Sequence, residues 1–465
     1  MIAMIKMIWL QFKYSWKSWL GASVLFIIAS ILMGMSFTGL ITFAMMNQAA
    51  LGPHNPTPVF IFPAIFGLAT LFMVLSGVVR LIVQNLSREY VQWEILGANP
   101  RQLSAIIGGQ VGLVGAMSAV IGYLVSIPAV SSLYAWAQGL VGKSWFPNGH
   151  LTFSWLAFLT TVLSMAMISG GAGFAHSHRL FANARNEMLN FKRSSNRPYS
   201  LVRVLVVAVS GIFLILGYRS ALTVSPLIKR TVQNGYHLAA IAEYVGPLME
   251  ILFWGIVFFA AITPIVLPLV IKLWTVILPR KRNANANLAY RNTLLNHNYA
   301  SSLIGPLFGG SFLLTGMMYL TTTFPGNGNK NQFIDAILSF VFYLGAPLIV
   351  ILANVLTITM IVSKQQAGEL NLMSLLGFTT ADLFAERVWE SIIYSVTFLI
   401  CAVLGNLPLY LTVKQIVINT HNVRQLSIAS SWYWPLWLFG VMLIFIVLVD
   451  AWQVWRFTRN LQEEV

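Results

Sequence analysis

Long apolar segments recur along almost the whole chain, and they limit the folds that are open to it. Ten such segments lie at residues 20–46, 58–86, 104–137, 151–176, 201–223, 247–278, 303–323, 333–363, 384–413 and 432–457. A helix needs about 20 apolar residues to cross the hydrocarbon core of a bilayer. Only 9% of the 465 residues are charged, which is too few to cover a water-facing surface of this size. The sequence therefore predicts an all-α polytopic membrane protein with about ten transmembrane helices.

The distribution of Lys and Arg sets the expected orientation. With the N-terminus inside, 21 of the 28 basic residues fall on inner segments or inner helix ends. The seven on the outer side are Lys143, Arg219, Lys229, Arg230, Lys330, Lys414 and Arg424. Cytoplasmic loops of membrane proteins are enriched in Lys and Arg, so both termini are predicted to be cytoplasmic. The same rule explains the formal net charge of +15 without a nucleic-acid partner.

The N-terminal segment 1–19 differs from the spans that follow. Trp9, Phe12, Trp16 and Trp19 recur at helical spacing with lysines between them. This pattern is typical of an amphipathic helix in the membrane interface, or of a plain aromatic anchor. The lysines also argue against a cleavable signal peptide.

The predicted loops leave little room for a soluble domain. The longest outer loop is about 223–246, and the inner loops are basic and modest in length. No Gly-x-x-x-x-Gly-Lys-Ser/Thr sequence is present, so a nucleotide site of the P-loop type is excluded. His176 and His178 have no Cys or acidic cluster beside them, so we expect no metal site. The chain is expected not to be an enzyme and to hold no cofactor.

An internal repeat is the most informative pattern in the sequence. The segment 89–103 aligns without a gap on 369–383, and Pro128 aligns at the same offset on Pro408. The identical pairs are Glu89 and Glu369, Leu96 and Leu376, Gly97 and Gly377, and Leu103 and Leu383. Each copy connects two predicted spans on the cytoplasmic side. The expected arrangement is four spans, two intervening spans and four spans, which suits a transporter core of two related halves.

Each copy predicts a short helix that lies across the inner membrane surface. Glu89 or Glu369 would begin it, where a carboxylate favours the helix dipole. Gly97 or Gly377 would end it. Such a helix can dock into a groove of a cytosolic partner. An ordinary helical connector is the alternative, and the presence of two copies favours docking.

At these residues the chain resembles the FtsX-like permease family of ABC transporters. The family pattern is a glutamate, an apolar helical stretch, Leu-Gly-Ala or a near variant, and a helix that re-enters the membrane. Residues 89–103 match it, and 369–383 match it more weakly. The ten-span layout is similar to the permeases that export antimicrobial peptides of the bacitracin type in Gram-positive bacteria. Those permeases carry a large external domain after the seventh span, where this chain has only residues 324–332.

The resemblance implies a division of the chain and a partner. The implied segments are an interfacial helix (1–19), a first four-helix repeat (20–176), a basic linker (177–200), two linking helices (201–278), a cytoplasmic amphipathic segment (279–302) and a second four-helix repeat (303–465). Two copies of a separate cytosolic ATPase, which hold ATP and Mg²⁺, would dock on the connectors. The docking residues would be Glu89, Glu94, Leu96, Gly97, Leu103, Glu369, Leu376, Gly377 and Leu383.

Ionisable residues near membrane depth are the other candidates. Asp450 lies in the tenth predicted span, and Arg219, at the outer end of the fifth, could pair with Glu243 or Glu250. These four are candidates for substrate contact or gating. Glu386, Arg387 and Glu390 open the ninth predicted span and are expected to form a salt-bridge cluster that supports the second connector.

The leading hypothesis is therefore the permease subunit of an ABC transporter in the plasma membrane of a bacterium, implied to be Gram-positive. Its substrate would be an amphipathic or antimicrobial peptide or a lipid-like compound, exported or extracted from the membrane. Membrane lipids would be its other partners. A mechanotransmission or sensory module without transport and an ion-driven secondary transporter remain alternatives. The sequence contains no recognisable set of catalytic residues that would support a membrane-embedded enzyme.

Overall fold

The structure, a computed structural model, describes most of the chain. The described residues are 2–46, 56–95, 98–143, 146–189, 201–236, 240, 243–277, 283–295, 297–323, 337–338, 341–342, 345–420 and scattered positions within 436–459. Within these ranges the secondary structure is helical and contains no strand. The predicted all-α class is confirmed.

Eleven α-helices account for most of the described part of the chain. They are α1 (Ile2–Met45), α2 (Thr57–Ile95), α3 (Pro100–Val141), α4 (Trp155–Leu189), α5 (Leu201–Leu222), α6 (Pro226–Gln233), α7 (Val245–Trp274), α8 (Ala284–Leu295), α9 (His297–Thr323), α10 (Gly345–Leu375) and α11 (Thr380–Asn419). A short 3-10 turn, Thr275–Ile277, extends α7.

Eight stretches within the described helices are long and apolar enough to cross a membrane. They are Gly21–Met45, Val59–Val83, Pro100–Val141, Trp155–His178, Arg203–Gln233, Val245–Ile277, Tyr299–Leu320 and Thr380–Asn419. Each coincides with one of the ten predicted spans. The eighth prediction, 333–363, coincides in part with the shorter apolar helix Gly345–Ile358. The tenth, 432–457, is described at half of its positions and coincides in part with the short apolar helix Phe439–Leu448. The chain is thus a multi-pass membrane protein with eight such helices in its described part.

The expected short connector helices are not separate elements, which corrects the prediction. Glu89 lies inside α2, almost two turns before its end at Ile95, and Glu369 lies inside α10, equally far before Leu375. No proline or glycine follows Gly77 before the end of α2, so nothing in that sequence interrupts the main-chain hydrogen bonds. The first part of each connector, residues 89–95 or 369–375, therefore continues the helix of the preceding span. Likewise, α1 runs without a break through the segment predicted to be a distinct interfacial helix.

Packing divides the chain into two compact units, the first formed by residues 1–198 and 341–361. Its centre is the pair α3 and α4, against which α1 packs. A side chain added at Gly108 would come within 3.0 Å of the main-chain oxygen of Gly170, and one at Gly112 within 3.4 Å of the Gly170 Cα. Gly108, Gly112 and Gly170 thus bring α3 and α4 into close contact. Small residues allow helices in a membrane to approach closely.

The second unit consists of residues 199–340 and 362–465. Here α9 packs on α7 and α11, and α5 packs on α7. The Phe259 ring lies 4.2 Å from that of Phe308 and 4.9 Å from that of Phe312, measured between centroids. A side chain added at Gly305 would contact Thr263 at an ordinary distance of 3.6 Å. Aromatic rings and glycines together join α7 to α9, because a side chain added at Gly255 would overlap Phe312 and one added at Gly316 would overlap Leu252.

Candidate functional site

The two connectors are built in the same way, at the spacing of the sequence repeat. The helices before them end at Ile95 and Leu375. The helices after them begin at Pro100 and Thr380, with Asn99 and Thr379 as N-caps. The Asn99 side chain accepts a hydrogen bond from the main-chain N–H of Arg101 at 3.0 Å. Side-chain oxygens at N-caps satisfy main-chain donors that have no partner within the helix.

The N-cap of the second connector makes more hydrogen bonds than that of the first. The Thr379 side-chain oxygen accepts a hydrogen bond from the main-chain N–H of Asp382 at 3.3 Å, and the Thr379 N–H donates to the Asp382 carboxylate at 3.2 Å. This reciprocal pair is a capping box. It fixes the direction in which α11 leaves the connector.

Gly377 ends α10, as the sequence predicts. Its φ is +89°, in the left-handed region that favours glycine, and the Phe378 N–H donates to the Met373 carbonyl at 3.1 Å. Leu96 and Gly97, the corresponding residues of the first connector, lie outside the described residues, as do the side chains of Glu89, Glu94 and Glu369. Leu103 and Leu383 are each 1% exposed and pack inside their units, so they cannot contact a partner directly.

Three leucines at the end of α10 expose most of their side chains. Leu372, Leu375 and Leu376 are 64%, 77% and 78% exposed. Their i, i+3, i+4 spacing places the three on one face of the helix. Adjacent exposed apolar residues mark an interaction surface more often than single ones do. We call these three residues the connector leucines.

The predicted ion-pair cluster is present and is fully buried. Arg387 Nη1 lies 2.7 Å from Glu390 Oε2, and Arg387 Nε lies 3.4 Å from Glu386 Oε2. The Glu386, Arg387 and Glu390 side chains are 0%, 2% and 3% exposed. The Tyr394 hydroxyl donates to Glu390 Oε1 at 2.6 Å. Buried charges need such partners because they have left water.

Helix α8 attaches to this cluster, which sequence reasoning did not find. Asn292 donates to Glu386 Oε1 at 2.9 Å, and Asn285 donates to Asp382 Oδ1 at 3.3 Å. The residues that this helix buries against its neighbours are small: Ala286, Ala289 and Thr293. The available signal was the i, i+7 spacing of the two asparagines, which places them on one face of a helix.

The first unit has no such charges at the positions that correspond in the repeat. The buried residues Leu383, Glu386, Arg387, Glu390 and Tyr394 of α11 align on Leu103, Ile106, Ile107, Gln110 and Val114, which are all buried in α3. The same positions are therefore buried in both helices, but they carry charged side chains in α11 and uncharged ones in α3. Within the described ranges, only the second connector leads directly into a buried charge network.

The four candidates for substrate contact are not brought together. Arg219, Glu243 and Glu250 are all exposed, and among the described residues Arg219 makes no ion pair with either glutamate. Asp450 lies outside the described residues. No group of three His, Cys, Asp or Glu side chains in the described ranges could hold a metal ion.

Comparison with known proteins identifies no relative. No family model matches the chain, and neither a curated protein nor a solved structure matches it.

Proposed function

We propose that this chain is the transmembrane permease subunit of an ABC transporter, with FtsX-like repeats around its two connectors. Two copies of a separate ATPase would dock there, and their closure on ATP and Mg²⁺ would drive export or extraction of an amphipathic peptide or lipid-like compound. The proposal places the chain in a bacterial plasma membrane with both termini cytoplasmic, and retains ten spans.

The single observation that carries the proposal is the face formed by the connector leucines. Apolar residues at i, i+3 and i+4 are the anchors by which a helix binds a groove. Leu372, Leu375 and Leu376 lie just before Gly377, at the end of a helix that continues an apolar segment of the membrane domain. A partner that moves this face would therefore pull directly on that segment.

The common construction of the connectors supports a pair of docking sites. N-caps and buried positions recur at the spacing of the sequence repeat. A pair of equivalent sites suits an ATPase dimer, which has two equivalent surfaces.

The test is purification of the chain from its own membranes in mild detergent, with identification of any bound ATPase and its ratio to the chain. We expect two ATPase subunits per chain. Leu376→Glu and Leu372→Glu should each weaken the complex about 30-fold, as loss of a buried anchor worth about 2 kcal/mol would. Glu89→Lys and Glu369→Lys should also weaken it.

Leu227→Glu is the matched control. Leu227 is 65% exposed, comparable to the connector leucines, but lies in α6 in a different part of the chain. An equal loss of ATPase in this variant would indicate a general effect of a new charge. If no ATPase accompanies the unaltered chain and none is stimulated by it on reconstitution, the proposal is wrong. A secondary transporter or a membrane-bound regulator would then be the better hypothesis.

A further inference from the structure

A groove lies between α5 and α11, at the end of α11 opposite to Gly377. Its wall includes Tyr218 and Leu222 from α5 and Leu411, Lys414, Gln415 and Ile418 from α11. The groove is open along one side, and its volume is about 770 Å³, within the range of sites for small ligands. Both helices belong to the second unit.

The shape of the groove fits one lipid chain. It runs along α11 from Pro408 to Ile418, which is about 15 Å at a rise of about 1.5 Å per residue. That length is about half of the hydrocarbon thickness of a bilayer, or one leaflet. Leu222, Leu411 and Ile418 expose about half of their side chains. These side chains form an apolar wall along the groove.

The polar residues of the groove favour an anionic head group. Lys414 is exposed, and it makes no ion pair with any described carboxylate. A lysine within a span can extend its charged end towards the interface. Gln415 uses one N–H in a bond to Asn419 Oδ1 at 3.0 Å, and its second N–H remains for a ligand.

More positive charge follows directly along the chain from the α5 side of the groove. Arg219 neighbours Tyr218, and α6 contains exposed Lys229 and Arg230. The Ser225 side chain caps α6 by accepting the Ile228 N–H at 3.2 Å. Leu227 is exposed on this short basic helix, as expected for a helix at a membrane interface. These three cations and Lys414 are four of the seven basic residues predicted on the outer side.

We propose that the groove between α5 and α11 binds one anionic phospholipid, with an acyl chain between Leu222 and Leu411 and the phosphate at Lys414. The site is independent of the connectors and of any ATPase. It would hold a regulatory or structural lipid and would give α5 a ligand.

The test is native mass spectrometry of the purified, delipidated full chain without an ATPase. Phosphatidylglycerol is titrated against phosphatidylcholine with the same acyl chains. We expect tighter binding of phosphatidylglycerol, and a loss of about fivefold in Lys414→Gln, since one Lys near anionic lipid contributes about 1 kcal/mol. Phosphatidylcholine binding should not change in this variant. Lys143→Gln, which removes an exposed cation from the first unit, should leave both lipids unaffected.

A second pair of variants tests the acyl chain. Leu411→Trp fills the groove and should weaken binding of both lipids, whereas Leu404→Trp, at an exposed position of α11 outside the groove, should not. Equal phosphatidylglycerol loss in the two lysine variants, or unchanged binding in Leu411→Trp, would overturn the proposal. So would disulfide-linked dimers of the Ile418→Cys chain in membranes, because a second copy would then occupy the groove. None of these outcomes depends on ATPase docking.

Discussion

Replacement of Arg387 by leucine should destabilise the second unit more than almost any other single change. Arg387 lies between two carboxylates, at 2.7 Å from Glu390 and 3.4 Å from Glu386, and none of the three side chains is more than 3% exposed. Arg387→Leu leaves both carboxylates buried beside each other without a cation. Removal of one partner from a buried ion pair costs about 3–5 kcal/mol.

The expected fall in melting temperature follows from the size of the unit. The second unit is formed by the segments 199–340 and 362–465, which together reach the upper end of the size of ordinary single domains. In units of this size each kcal/mol lowers the melting temperature by about 2–4 °C, so the expected fall is about 6–20 °C.

Cys401 provides the measurement. It is the one cysteine in the chain, it lies in α11 and it is buried, so a thiol-reactive fluorophore would label it as the second unit unfolds. Unfolding is followed by heating the purified chain with the dye.

Two further variants separate lost charge from lost packing. Ile107→Leu changes the position of the first unit that aligns on Arg387, and should cost less than about 1.5 kcal/mol. The triple variant Glu386→Ile, Arg387→Ile, Glu390→Gln copies the residues of the first unit and should recover more than half of the loss, because no buried charge remains. A fall of less than about 3 °C in Arg387→Leu would refute the argument that the carboxylates depend on this cation.

Two other predictions use the same melting assay. Gly377→Ala places a side chain at φ +89° and should lower the free energy of unfolding by about 1–2 kcal/mol. Gly345→Ala is the control, because Gly345 has equal open space and no positive φ, and this variant should be neutral or stabilising. Equal effects of the two variants would contradict the argument from backbone conformation. Asn292→Ala removes the hydrogen bond to Glu386 and should cost about 1.5–3 kcal/mol, and Asn287→Ala, on the same helix, serves as its control. Indistinguishable melting of the two asparagine variants would show that α8 does not support the cluster.

The spans were predictable because their signal is a local one. Eight of the ten predicted spans coincide with long apolar helices, since about twenty consecutive apolar residues indicate a transmembrane helix whatever their neighbours are. Gly377 was predictable for a similar reason, because glycine marks the end of a helix by its own conformational freedom.

Features that depend on contacts between distant residues were harder to predict. The continuity of α2 through the connector was missed because Glu89 reads equally well as a first or a late helical residue. Helix α6 was read as part of a loop, although Ser225 and Pro226 form a typical helix start. The bonds from Asn285 and Asn292 join residues that are far apart in the sequence, and no local pattern records such pairs.

The uninterrupted course of α2 has a mechanical consequence. Its 39 residues measure about 58 Å, nearly twice the hydrocarbon thickness, so the helix could act as a lever whose connector arm extends beyond the apolar stretch Val59–Val83. A sideways displacement of about 5 Å at Ile95 would tilt a rigid rod of this length by about 5°. The residues at which α2 could bend, Pro63 and the Ser76-Gly77 pair, all precede the connector arm, which contains no proline or glycine and stays stiff. A force applied at the connector would thus reach the apolar part of α2 as a tilt and would not be absorbed by bending of the arm.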